Sequence, residues 1–120
     1  MTRPPILKLG DILIVSIQTD LDDQEALALQ DDLAEAAVAA RARGVIIDIS
    51  AVDVVDSFIG RTFATIAAIT RILDAETVVV GMRPAVAITM VELGLSMGGV
   101  RTALNLTQAI EMLNHARSPG

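Results

Sequence analysis

Short β-branched runs alternate with long helix-forming stretches along this chain, and that rhythm leaves few folds open. Residues 12–18, 45–49, 77–80 and 100–102 read as strands, and a further short run at 6–9 precedes the first of them across Gly10-Asp11. A two-residue turn between apolar runs predicts a β-hairpin. Residues 24–43 are strong helix formers, with Asp22 or Asp23 as the cap and Gly44 ending the helix. Leu27, Leu33, Ala37 and Val38 supply an apolar face for that helix, and Asp31, Asp32, Glu35 and Arg41 a solvated one. A second helix is expected at 57–73, with Phe58, Ile59, Phe63, Ile66, Ile69 and Ile72 available for the core. A third follows Pro84 at 85–92 and stops at Gly94, and a fourth spans 106–115 with Asn105 or Thr107 as its cap. Gly98-Gly99 reads as a loop and 117–120 as a loose end. The order β-β-α-β-α-β-α-β-α implies one α/β domain over residues 1–120. Its sheet should be mixed, of four or five strands, with about four helices packed mainly on one side.

Composition narrows what such a domain can do. Of the 120 residues 52% are hydrophobic, yet only 2% are aromatic, so the core must be aliphatic and stacking on nucleic-acid bases is disfavoured. A net charge of −6 without a basic stripe argues against nucleic acid as a partner. The chain has no cysteine, which excludes disulfides, thiolate metal sites and cysteine nucleophiles. His115 is the only histidine, so a two-histidine metal site cannot form. No cofactor or metal is expected. The start Met-Thr-Arg-Pro-Pro lacks the apolar segment of a signal peptide, and no run approaches the ~20 residues needed to cross a bilayer. A cytoplasmic protein with no membrane partner is expected. Its mean hydropathy of +0.58 is high for so small a chain, which hints at surface covered by other subunits.

The most informative stretch is Val54-Val55-Asp56-Ser57-Phe58-Ile59-Gly60-Arg61-Thr62, where a loop leaving a buried strand turns into a helix. Asp56 or Ser57 can cap that helix by accepting hydrogen bonds from its free N–H groups. A plain cap is the ordinary explanation of a serine there. The same place also suits a phosphate, because unpaired N–H donors and the positive end of the helix dipole face it.

Several segments carry a resemblance over nearly the whole length. They are Pro5-Ile6-Leu7-Lys8-Leu9, Ser16-Ile17-Gln18, Leu21-Asp22-Asp23-Gln24, Val45-Ile46-Ile47-Asp48-Ile49-Ser50, and Val52-Asp53-Val54-Val55-Asp56-Ser57-Phe58-Ile59. Pro84-Ala85-Val86-Ala87, Glu92-Leu93-Gly94 and Thr102-Ala103-Leu104 continue it. Together they resemble the STAS family of anti-sigma factor antagonists, and within it the stressosome scaffolds. The resemblance implies a STAS fold and no enzymatic activity. It implies co-assembly with paralogous STAS sensor subunits, as a homo-oligomer or a large hetero-oligomeric cage. It further implies that the assembly holds a serine/threonine switch kinase, which leaves once Ser57 is phosphorylated, and that a dedicated phosphatase reverses the modification. Asp22, Asp23, Asp56, Phe58, Ile59, Gly60 and Arg61 would accompany Ser57 in the partner contact. A stand-alone antagonist binding an anti-sigma factor kinase, also controlled at Ser57, is the alternative; Phe58 in place of a small residue favours the scaffold.

Other residues carry less. Asp22 and Asp23 are more simply read as ordinary charges at a helix start than as part of the partner surface. Asp48, alone in its strand, is expected to cap a neighbouring turn or face the sheet edge. Gly81-Met82-Arg83-Pro84 lacks the spacing and the Gly-Lys-Ser/Thr ending of a phosphate loop. Thr62 and Thr65 are secondary phosphoacceptors at best, with access lost inside the helix. A hydrolase with Ser57 as nucleophile would need His115 as its base.

Overall fold

Each apolar run pairs with its neighbour in sequence, so the sheet order is the chain order. The computed structural model describes residues 3–92 and 100–116. The elements are β1 (Ile6–Leu9), β2 (Ile12–Ser16), α1 (Asp23–Ala40), β3 (Gly44–Asp48), α2 (Ser57–Ile72), β4 (Glu76–Val80), α3 (Pro84–Glu92), β5 (Arg101–Ala103) and α4 (Leu106–Ala116). They build one five-stranded sheet in the order β1-β2-β3-β4-β5. The β1–β2 hairpin is antiparallel, with Leu9 opposite Ile12. The three later pairs are parallel, as strands joined through a helix must be to lie side by side in one direction.

Side chains alternate across a strand, and the alternation divides the core in two. Leu13, Val15 and Ile17, then Val45, Ile47 and Ile49, then Val79 face α1, α2 and α3 and form the larger cluster. Ile12, Ile46, Val78 and Val80 face the other way and form a smaller cluster with Ala109 and Leu113 of α4, against which Ile110 and Met112 also pack. Three helices therefore share one face and the fourth covers part of the opposite one.

The larger differences from the sequence expectation each have a packing cause. The first helix stops at Ala40, not at Arg43. Arg41 takes a left-handed conformation (φ 49°, ψ 49°) and the Ala42 N–H reaches back to the Ala37 carbonyl at 3.1 Å, a Schellman closure made without glycine. Gly44 instead opens β3, where a Cβ would lie 2.6 Å from Leu113 Cδ1. It is small so that α4 can sit on the strand. The buried stripe of α1 is Ala26, Leu29, Leu33 and Ala37, while Leu27 and Val38 are exposed. Ile72, expected in the core, is 84% exposed because it lies off the buried stripe of α2, which runs through Ile59, Phe63, Ile66 and Thr70. Asn105, not Thr107, caps α4: its Oδ1 accepts the Gln108 N–H, and Gln108 Oε1 accepts the Leu104 N–H. The expected stops and loops at Gly94, Gly98-Gly99 and 117–120 lie outside the described residues.

Candidate functional site

Because β2, β3 and β4 run parallel, the segments leaving their carboxyl ends meet along one edge of the sheet. These are residues 17–22 before α1, 49–56 before α2 and 81–83 before α3. Ser57 is the first residue of α2 and stands on that edge. The N-cap is Asp56, in extended backbone, and its Oδ1 accepts the Ile59 N–H at 2.9 Å. The first intrahelical bond runs from the Gly60 N–H to the Asp56 carbonyl, so the N–H groups of Ser57 and Phe58 have no helical partner. Ser57 itself is half-buried, and its hydroxyl makes no hydrogen bond among the described residues. It is not sealed in the core. The cap function belongs to Asp56 and leaves the serine oxygen available.

The loop before Ser57 is fixed from within and from both sides. Val52 and Val55 anchor it in the core. At its start, Asp48 Oδ1 accepts the Ser50 N–H at 2.9 Å, so Asp48 caps a turn. From the segment before α1, Asp20 Oδ1 accepts the N–H groups of Asp53 at 2.9 Å and Val54 at 3.3 Å. From the segment before α3, Arg83 Nε donates to the Ser50 carbonyl at 2.9 Å while its Nη1 pairs with the Asp53 carboxylate. Gly81 lets these segments approach, since a Cβ there would lie 2.8 Å from Ser50 Cβ, and its φ of 75° is one glycine adopts without strain.

Asp20, Asp53 and Asp56 thus lie on or against the loop that leads into Ser57, with Asp22 and Asp23 exposed at the start of α1. Asp22 is the N-cap of α1 in a complete capping box: its Oδ1 accepts from the Glu25 N–H at 2.7 Å, and Glu25 Oε1 accepts from the Asp22 N–H at 3.1 Å. Against these carboxylates stand Arg83, engaged with Asp53, and Arg61, exposed one turn into α2.

Of the residues expected around Ser57, the structure leaves Asp22, Asp23, Asp56 and Arg61 exposed and Phe58 half-buried. Ile59 is 4% exposed and belongs to the larger core, and Gly60 is buried beside it, so neither presents a side to a partner in this conformation. Their role is to seat the first turn of α2. Exposed Val54, not among the expected contacts, does present an apolar side chain on this edge. Thr62 is buried and donates to the Phe58 carbonyl. Thr65 is exposed, contrary to expectation, with its hydroxyl bonded to the Arg61 carbonyl. Asp20 and Arg83 are the two site residues the sequence reading missed. His115 lies on α4, across the sheet from α2 and two residues past Leu113, which sits on the opposite end of β3. It offers Ser57 no base. Among the described residues no group of acidic or histidine side chains is placed to hold a metal ion, and no helix is long and apolar enough to cross a membrane.

Comparison with known proteins agrees with this geometry. The model of the STAS domain matches residues 3–109. The RsbT co-antagonist protein RsbRD of Bacillus subtilis is 30% identical over 107 residues, which is 88% of this chain and 38% of RsbRD. The chain spans about two-fifths of the length of the curated relatives it matches. A solved serine-to-glutamate variant of RsbS from Moorella thermoacetica is 39% identical, with a TM-score of 0.83 over 98% of this chain and 100% of that one. A chain from the molecular architecture of the stressosome, a signal integration and transduction hub, is 34% identical, with a TM-score of 0.73 over 95% of this chain and all of that one.

Proposed function

This chain belongs to the STAS domain family, and we propose that it is a non-enzymatic stressosome scaffold of the cytoplasm that holds a serine/threonine switch kinase until Ser57 is phosphorylated. It would assemble with paralogous STAS subunits, and a dedicated phosphatase would restore the binding form. The observation that carries this reading is the placement of Ser57: first in its helix and half-buried, its hydroxyl without a hydrogen bond among the described residues, beside two backbone N–H groups that have no helical partner. The likeness to RsbS and to the stressosome supports the assembly. Names such as RsbT co-antagonist, borne by the Bacillus relatives, support a partner of the RsbT kind. That RsbS has been solved with a negative side chain in place of a serine is in keeping with control by charge.

The electrostatics explain how one phosphate would release a partner without unfolding its carrier. A phosphoryl group adds about −1.5 to −2 charges. The N-terminus of α2 returns roughly 0.3–1 kcal/mol to a negative group. Asp20, Asp53 and Asp56 oppose it, and Arg83 is already engaged by Asp53. In water these opposing contributions are small and partly screened. Within a protein contact, the phosphate loses its hydration and the penalty grows. The fold therefore tolerates the charge and the docked surface does not.

The deciding experiment is incubation of the protein with a switch kinase of the RsbT kind and ATP, followed by mass spectrometry. One phosphate on the peptide carrying Ser57, and loss of kinase binding in parallel, is the expected result. Equal kinase affinity for modified and unmodified protein would overturn the release mechanism. Mixing with a paralogous STAS subunit should give a particle many times larger than either chain; a persistent monomer or dimer would favour a stand-alone antagonist.

A further inference from the structure

We infer that Arg83 is a positioning residue for the phosphoacceptor: its guanidinium clamps the loop before α2 at two points and so holds Ser57 in the form a kinase can take. This rests on the phosphoacceptor reading of Ser57. The clamp is visible in the bonds. Arg83 Nε donates to the Ser50 carbonyl at 2.9 Å and Nη1 pairs with the Asp53 carboxylate. One rigid fork thus grips a backbone atom and a side chain three residues apart in the same loop. A single exposed ion pair stabilises little. A planar fork with two directed donors fixes orientation in a way that one charge cannot.

The clamp also has a firm base. The Arg83 carbonyl accepts the N–H groups of Val86 and Ala87, so the residue is built into the start of α3. Val86 and Met90 root that helix in the larger core. On the other side of the loop, Asp20 holds the Asp53 and Val54 N–H groups. Asp53 is therefore fixed by backbone from one neighbouring segment and by side chain from the other, and Ser57 lies four residues further on. Without Arg83 the loop keeps its valine anchors and its Asp20 contact but loses its tie to α3, and the presenting conformation becomes one among several.

A positioning role has a kinetic signature. If only a fraction of molecules present Ser57 correctly, the apparent affinity of the kinase falls by that fraction. The chemistry in the bound complex does not change. For Arg83→Ala in the full chain, the expected result is a KM for Ser57 phosphorylation about ten-fold higher with kcat within two-fold of wild type. Hydrogen exchange of the 50–57 segment should be about ten-fold faster, with exchange elsewhere and far-UV circular dichroism unchanged. Arg83→Lys keeps the charge but lacks the planar fork that aims two donors at once, and should fall between wild type and Arg83→Ala in both measurements. Asp53→Asn keeps the bond to Ser50 and should also fall between. Unchanged exchange at 50–57 in Arg83→Ala overturns the clamp. A fall in kcat with unchanged exchange assigns Arg83 to direct contact with the kinase, which also overturns it. Wild-type protein that takes no phosphate on Ser57 ends the phosphoacceptor reading and the presenting role with it, while the exchange comparison still decides whether the clamp exists.

Discussion

Replacing Asp56 by alanine removes one hydrogen bond from the start of α2, and its cost follows from what that bond holds. Asp56 Oδ1 accepts the Ile59 N–H at 2.9 Å, and Ile59 is a core residue. Loss of such a cap costs about 1 kcal/mol. A chain of 120 residues unfolds with an entropy of roughly 0.25 kcal/mol/K near 60 °C, so the midpoint should fall by about 4 °C. Asparagine caps nearly as well as aspartate. Asp56→Asn should therefore stay within about 1 °C of wild type when measured in about 0.5 M salt, where attraction between the carboxylate and the helix end is screened. Thermal unfolding followed by far-UV circular dichroism gives both numbers. The pair of variants separates the bond from the charge. If the asparagine variant loses as much as the alanine variant, charge and not the hydrogen bond holds this turn. If neither loses stability, Asp56 is not the cap, and the claim that Ser57 is free for modification loses its support.

Three more outcomes test other parts of the structure. Ser57→Asp should leave the unfolding midpoint within about 2 °C of wild type, because the helix N-terminus accepts the charge, while weakening kinase binding; Ser57→Ala should keep the kinase bound in the presence of ATP. Gly44→Ala should cost about 1–3 kcal/mol through overpacking, since its Cβ would meet Leu113 Cδ1 at 2.6 Å. In Leu113→Ala the same substitution should be nearly free, and strict additivity in that cycle would refute the packing account. The buried hydroxyls of Thr70 and Thr77 lie 2.7 Å apart, and Thr70 also donates to the Ala67 carbonyl. Thr77→Val should thus cost about 0.5–1.5 kcal/mol, whereas Thr70→Val strands the Thr77 hydroxyl and should cost about 1–3 kcal/mol. Chemical denaturation ranks the two, and the reverse order would contradict the network.

The elements were legible because burial repeats locally. A strand buried on both faces, such as Val45 to Ile47, can only be a continuous apolar run. An acidic residue followed by a serine at a helix start is likewise a local signal, so the sequence alone marks the Ser57 turn. Gly44 was misread for the complementary reason. A glycine next to a helix-forming run looks like its terminator, but the atom that requires it belongs to Leu113, at the other end of the chain. Leu27 and Val38 were assigned to the core because a helix with many alanines carries two overlapping apolar stripes. The stripe of Ala26, Leu29, Leu33 and Ala37 wins, as its small residues bring the helix close to the sheet.

Asp20 and Arg83 were missed because their partners lie some thirty residues away, and no periodicity marks a polar contact between loops. They were still within reach of topology. Once β2, β3 and β4 are placed as parallel neighbours, the segments leaving their carboxyl ends must be neighbours too. The middle segment contains Asp53, and two backbone N–H groups in it cannot join a strand or a helix. The flanking segments hold one free carboxylate, Asp20, since Asp22 caps α1, and one guanidinium, Arg83. Opposite charge and unfilled donors then leave few pairings open, and the observed ones satisfy both. Dismissing Gly81-Met82-Arg83-Pro84 as a failed phosphate loop asked what the motif could bind from outside. Its place in the sheet shows that it binds the neighbouring loop, the one that carries the serine.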